Sequence, residues 1–313
     1  MDFFNLLFQF VLLVVGFTML VKGADWFVEG AAGIAKKFGI PELVVGLTIV
    51  AMGTSAPEAA VSVTAALKGN ADITIGNIVG SNILNILIIL GLTGVIATVA
   101  IQKSTLLYEI PYMLLITVVL IVMGMTGNEI SRVEGILLWV LFILYLLYLF
   151  MMAKNGMNKE QEQEETRSIV KLLLFAVIGG VIVVWGSDIT VDSAIAIAQA
   201  VGLSERFIGL TIVALGTSLP ELVTSVTAAR KGNADIAIGN IVGSNIFNIL
   251  FVVGTSALII PVVFEASFLI DSAVAVLAGV ILWVSVFRTK KLERPWGIVM
   301  LVTYAVYLVY LMM

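Results

Sequence analysis

A stretch of 44 residues occurs twice in this 313-residue chain. VVGLTIVAMGTSAPEAAVSVTAALKGNADITIGNIVGSNILNIL at 44–87 returns as FIGLTIVALGTSLPELVTSVTAARKGNADIAIGNIVGSNIFNIL at 207–250, at a constant offset of 163. Self-similarity on that scale means a fold assembled from two copies of one unit. Asp25 and Asp188 share the offset, so the unit begins well before the motif.

Charged residues punctuate apolar runs that each approach or exceed the ~20 residues needed to cross ~30 Å of hydrocarbon. Sixty per cent of the chain is apolar and only 12% is charged, against about 25% charged in soluble domains. A water-soluble fold of this size would have too little polar surface to cover its core, which excludes a soluble enzyme. Ten spans are predicted: 3–24 with a polar continuation to Lys37, then 42–67, 73–99, 105–125, 132–152, 168–200, 206–229, 236–260, 265–287 and 295–313. The runs are continuous instead of alternating, so a β-barrel is a poor fit. The first run lacks a small-residue cleavage site and is expected to stay as a span.

Five spans per half is an odd number, so the second copy must enter the membrane upside down, as in many secondary transporters. The expected fold is therefore an all-α polytopic membrane protein, ten transmembrane helices in two inverted five-helix repeats with helices broken at the midplane. Residues 1–152 form the first repeat, 153–167 a cytoplasmic linker, and 168–313 the second repeat. Thirteen Lys and Arg residues lie on loops after odd-numbered spans and three (Lys68, Arg132 and Arg206) on the other side. The positive-inside rule makes the odd loops cytoplasmic and puts both termini outside. The expected location is the cytoplasmic membrane. A net charge of −4 leaves no basic stripe for nucleic acid. With neither Cys nor His in the sequence, any ion site must be built from oxygens.

Two carboxylates lie deep in apolar sequence. Glu58 is ten residues from Lys68, and Glu221 nine from Arg230; at ~1.5 Å per residue these are depths of ~15 and ~13 Å from opposite faces. The inverted halves thus deliver both groups to the middle of the bilayer. A charge there needs a partner or a water-filled cavity, and no Lys or Arg sits at that depth in these spans. Thr54 and Ser55 precede Glu58 by four and three residues, on one helical face. Pro57 cannot donate an N–H and crowds the carbonyl four residues back, so the helix must kink there, freeing carbonyls around Ala51 to Thr54. Thr217, Ser218, Pro220 and Glu221 repeat the design. The next span adds a stripe of Asn77, Ser81 and Asn85, matched by Asn240, Ser244 and Asn248. Such a set of carboxylates, amides, hydroxyls and carbonyls suits Ca²⁺, and Na⁺ accepts the same oxygens at lower charge. Two ions competing for one set of ligands make an exchanger when only loaded states interconvert.

On these residues the chain resembles the calcium/cation antiporter superfamily, specifically the prokaryotic sodium/calcium exchangers. The motifs that carry the resemblance are GTSAPE with GNIVGSNILN and GTSLPE with GNIVGSNIFN, and the likeness runs over essentially the whole chain. It implies a transporter and not an enzyme, without cofactors, acting as a monomer in the lipid bilayer on Ca²⁺ and Na⁺. Glu58 and Glu221 would be shared ligands. Thr54, Ser55, Ser81 and the Ala51 carbonyl would form an inner Na⁺ site, and Thr217, Ser218, Ser244 and the Ala214 carbonyl an outer one. Asn85 and Asn248 would line the middle. The resemblance also implies three Na⁺ per Ca²⁺ and sliding of spans 1 and 6 across a static core. Potassium-dependent relatives carry Asp where this chain has Asn248. Potassium-dependent and proton-coupled calcium exchange are the alternatives, and a cation channel ranks below both.

The remaining polar residues have structural expectations. The Gly76–Gly80 and Gly239–Gly243 pairs should let helices pack closely, and Asn82 and Asn245, off the stripe, should join helices. Lys22, Asp25 and Asp188 should be interfacial, and Glu109, Glu265 and Asp271 should be span-end charges.

Overall fold

The computed structural model describes residues 3–69, 71–156, 167–200 and 216–312. The elements are α1 (Phe3–Phe38), a bent pair α2 and α3 (Glu42–Thr54 and Ala56–Leu67), α4 (Thr74–Ile96), α5 (Thr105–Gly127), α6 (Arg132–Gly156), α7 (Ile169–Ala200), α8 (Leu219–Arg230), α9 (Ala234–Ile259), α10 (Ser267–Phe287) and α11 (Arg294–Met312). Eight of these helices are long and apolar enough to cross a membrane, and the bent pair makes a ninth span. Of the seventh expected span the described part is Gly216 to Arg230, chiefly α8. The expected linker lies largely outside the described residues, and α6 runs on to Gly156, past the expected end at 152.

Two short antiparallel ribbons fix the relation of the loops. Strand β1 (Val99–Ala100) pairs with β4 (Lys291–Leu292), and β2 (Glu129–Ile130) pairs with β3 (Val262–Val263). The first joins the loops after spans 3 and 9, the second those after spans 4 and 8. The ribbons are images of each other under the repeat. Residues Asn128 and Lys290, both left-handed at φ 56° and 52°, correspond at an offset of 162, so the register slips by one residue late in each half.

The helices sort by burial. The most apolar stretch of α9 is 94% buried and that of α4 78%, whereas those of α1 and α11 are 17% and 11% buried. The two central helices carry the GNIVGSN motifs, and apolar side chains such as Phe8, Leu144, Trp185 and Val306 cover the outside. Polar groups inside an apolar shell are what a bilayer solvent selects.

Small residues set the closest approaches. Gly16 and Gly23 recur at a seven-residue spacing, which returns to one helix face every two turns. A Cβ on Gly23 would come within 2.9 Å of the Gly179 carbonyl, and one on Gly186 within 3.0 Å of the Gly16 carbonyl, so α1 and α7 lie antiparallel with backbones touching. Gly239 and Gly243 play the expected packing role against α2: their added Cβ atoms would meet Leu43 O at 3.0 Å and Leu47 Cα at 2.8 Å. Gly80 has nothing described within 4 Å; the residues that correspond to Leu43, Leu47 and Ala51 (206, 210 and 214) lie outside the described residues.

Three expected surface charges turn out engaged. Asp25 pairs with Lys231 at 3.2 Å, which also donates to the Asp25 carbonyl at 2.9 Å, tying α1 to the end of α8. Asp271 accepts from the Tyr307 hydroxyl at 2.8 Å. Glu109, expected as a span-end charge, is instead buried and accepts from the Tyr148 hydroxyl of the neighbouring α6. Replacing Gly243 with Ala should lower stability by about 1–3 kcal/mol through overpacking against the α2 backbone. Gly127→Ala, whose Cβ would meet only Glu129 Cγ at 3.9 Å, should stay within about 0.5 kcal/mol of the parent. Thermal unfolding in detergent reads both.

Candidate cation site

The bent pair breaks at Ser55, where φ −84° and ψ 7° leave the helical region and the axis turns by 51°. Pro57 is then the second residue of α3, a first-turn position at which its missing N–H costs nothing. Ser218, at φ −93° and ψ 5°, and Pro220 repeat this geometry at the start of α8. Glu58 and Glu221 fall in the first turn of the two new half-helices. Free N–H groups and the positive end of the helix dipole there favour a carboxylate, which partly offsets its removal from water. The Ala51 carbonyl keeps its helical bond from the Ser55 N–H at 3.0 Å, and its second lone pair is left to the Thr54 and Ser244 hydroxyls, at 3.3 and 3.4 Å. Ala214 lies outside the described residues.

Both carboxylates are fully buried. Glu221 is held by a hydroxyl from the opposite half and Glu58 by one from its own, which in turn meets a hydroxyl from the other half. Ser55 donates to Glu221 Oε1 at 2.8 Å. Ser81 donates to Glu58 Oε1 at 3.3 Å, and the Ser218 hydroxyl of the other half lies 3.3 Å from that of Ser81. Among the described residues, neither carboxylate forms an ion pair with Lys or Arg. Thr217 is half-buried at the second break and makes no side-chain hydrogen bond among the described residues.

Asparagines close the site on the side of the central helices. Asn77 donates to the Glu58 carbonyl at 3.4 Å and to Ser62 at 2.9 Å; Asn240 donates to the Glu221 carbonyl at 3.4 Å and to Ser225 at 2.9 Å. Both therefore bond main chain at the breaks. The Asn240 oxygen also accepts from Thr54 at 3.0 Å, linking the halves. Asn85 donates to Asn245 Oδ1 at 2.9 Å and Asn248 to Asn82 Oδ1 at 3.1 Å. A π-helical segment opens at each of Asn85 and Asn248, a local widening of the helix that often marks functional positions.

Four buried oxygens then find no hydrogen-bond donor among the described residues: Glu58 Oε2, Glu221 Oε2, Asn85 Oδ1 and Asn248 Oδ1. Asn85 and Asn248 stand one helical turn beyond Ser81 and Ser244, which touch Glu58 and the Ala51 carbonyl. The four oxygens sit on the two half-helices and the two central helices that carry the repeated motifs. Leaving a buried polar acceptor unmet costs about 1–3 kcal/mol, more for a charged one. A set whose unmet atoms are all acceptors, two of them on carboxylates, is complementary to a hard cation.

The predicted residues Thr54, Ser55, Glu58, Ser81 and Asn85 come together with Ser218, Glu221, Ser244 and Asn248 across the two halves. Ser62 and Ser225, which anchor Asn77 and Asn240, were not picked out from the sequence. Their presence in both copies of the repeat was the available signal.

Comparison with known proteins identifies the family. The family model described as sodium/calcium exchanger protein matches residues 8–151 and 171–313. The sodium/calcium exchanger MaX1 of Methanosarcina acetivorans is 33% identical over 97% of this chain and 98% of its own. The inner membrane protein YrbG of Escherichia coli is 38% identical over 80% of this chain and 79% of its own. A solved structure of the sodium-calcium exchanger NCX_Mj, soaked with zero Na⁺ and Ca²⁺, superposes with a TM-score of 0.84 at 33% identity, covering 98% of this chain and 99% of that one.

Asn240→Ala strips donors or acceptors from Glu221, Ser225 and Thr54, whereas Asn77→Ala affects only Glu58 and Ser62. Thermal unfolding should show the larger loss for Asn240→Ala, about 2–3 kcal/mol against about 1–2 kcal/mol.

Proposed function

The chain belongs to the sodium/calcium exchanger family, and from that premise we propose that it is a sodium/calcium antiporter working by alternating access. It trades three Na⁺ for one Ca²⁺ and uses the inward Na⁺ gradient to extrude Ca²⁺ across the cytoplasmic membrane as a monomer. Both termini are outside and the linker is in the cytoplasm, in keeping with the basic residues concentrated on the odd-numbered loops. The observation that carries the reading is the set of four donor-less oxygens on Glu58, Glu221, Asn85 and Asn248. Glu58 and Glu221 are the ligands common to both ions. Thr54, Ser55, Ser81 and the Ala51 carbonyl serve one Na⁺, with Thr217, Ser218, Ser244 and the Ala214 carbonyl serving another.

The same site supplies the coupling. One Ca²⁺ neutralises the formal charge of the carboxylate pair, and Na⁺ ions with hydroxyl ligands do so in another way. Without either, two like charges remain buried near each other at a cost of several kcal/mol. Crossing with the site unfilled is penalised, so ion movement in one direction requires return in the other.

The two halves also differ in a way that alternating access requires. Asp25 pairs with Lys231, while the residues related to them by the repeat, Asp188 and Lys68, form no ion pair among the described residues. If the halves exchange conformations, the first pair opens and the second forms. Lys231→Gln and Lys68→Gln should then shift the population of the two access states in opposite directions. The absence of native Cys allows single reporter cysteines to measure this by accessibility from either side.

The direct test is flux. Ca²⁺ uptake into Na⁺-loaded vesicles should require the outward Na⁺ gradient and not a pH gradient; dependence on pH alone would transfer the chain to proton-coupled exchange. Glu58→Gln and Glu221→Gln should each abolish uptake and the Ca²⁺-induced rise in melting temperature. In ion-free buffer the variants should melt no lower than the parent, since each removes a buried like charge. Full transport by either variant would remove that residue from the site.

A further inference from the structure

The exchange of hydrogen bonds among four buried asparagines determines which way two of them face. Asn82 Nδ2 lies 3.3 Å from the Asn245 main-chain carbonyl, and Asn245 Nδ2 lies 3.3 Å from that of Asn82. A main-chain carbonyl can only accept, so the atom of each amide that faces it must be nitrogen. The Oδ1 atoms of Asn82 and Asn245 are thereby turned the other way, and an amide oxygen can only accept as well. The side chains that meet them, Asn248 at 3.1 Å and Asn85 at 2.9 Å, must present nitrogen. Their own oxygens are left pointing elsewhere, and these are two of the four donor-less oxygens of the site.

We infer that Asn82 and Asn245 are positioning residues that set Ca²⁺ affinity by locking the amides of Asn248 and Asn85 with their oxygens toward the cation. The brace is crossed: Asn82, in the first half, orients Asn248 in the second, and Asn245 orients Asn85. Neither brace touches the ion. Without Asn82, the Asn248 amide has nothing to distinguish its two ends, and a rotated amide puts an NH₂ group against the cation. The same argument gives Asn248 a reason to be an amide in this chain, because a carboxylate there would set oxygen against Asn82 Oδ1. Outer partners that orient ligands in this way typically change metal affinity about 10–100-fold.

This inference rests on the exchanger reading, and a double-mutant cycle separates the two. The purified full-length chain is titrated with Ca²⁺ in Na⁺-free buffer, and vesicle exchange is followed for the same proteins. Asn82→Leu, with the same branching but no polar atoms, should raise the apparent Kd and KM for Ca²⁺ by about tenfold with little change in turnover at saturating Ca²⁺. In an Asn248→Ala background it should have no further effect on affinity, while in an Asn85→Ala background its full effect should persist. Asn245→Leu should show the mirror pattern, coupled to Asn85 and independent of Asn248. If the leucine variants do not fold, Asn82→Ala and Asn245→Ala carry the same cycles. Equal losses in every background, or lower melting temperature with unchanged affinity, would overturn the brace and leave the exchanger standing. A parent protein that binds no Ca²⁺ would overturn both.

Discussion

Two fully buried carboxylates, with no Lys or Arg paired to either among the described residues, govern the design of this molecule. A protein that needed only stability would place a Lys or Arg at that depth or dispense with the charges. Here the stabilising features are weaker and all polar: half-helix N-termini, a hydroxyl from the opposite repeat, and the hydroxyl network around Ser81 and Ser218. They hold the groups in place without cancelling their charge. The central helices α4 and α9 are the most buried in the fold, because the walls of such a site must be closed to lipid while their polar faces meet inside.

The inverted repeat gives this design its geometry. A single broken helix would expose unpaired main-chain groups to hydrocarbon. Here each half covers its own break, Asn77 bonding the Glu58 carbonyl and Asn240 that of Glu221. The repeat also brings Ser55 of one half to Glu221 of the other. Departures from strict symmetry also occur: Asp25 pairs with Lys231, whereas Asp188 and Lys68 form no ion pair among the described residues.

Much of this was legible in the sequence because depth in a membrane can be counted from loop charges. The constant offset located the site, and Pro57 and Pro220 announced the breaks. What escaped depends on contacts between elements far apart in the chain. The ribbons are two-residue strands whose pairing has no local signal, and the slip to an offset of 162 shows only once Asn128 and Lys290 are seen in equivalent turns. Glu109 read as a span-end charge because nothing in its own span reveals that Tyr148 of the next helix covers it. Asn82 and Asn245 stood off the polar stripe, and helical periodicity alone could not show that α4 and α9 cross where these side chains meet.

Amide orientation links those two asparagines to ion chemistry. An amide and a carboxylate have nearly the same shape, and a ligand position occupied by Asn offers a cation one oxygen only if its other end is committed to a bond. In this fold that commitment traces back to main-chain carbonyls, which cannot reverse their polarity, through Asn82 and Asn245 to Asn248 and Asn85. The choice of Asn over Asp at 248 is therefore a property of the shell behind the ligand as much as of the ligand. A change at 248 from amide to carboxylate would alter the charge of the site and also place two acceptors face to face, so the character of the transported ions and the identity of residue 82 are physically coupled.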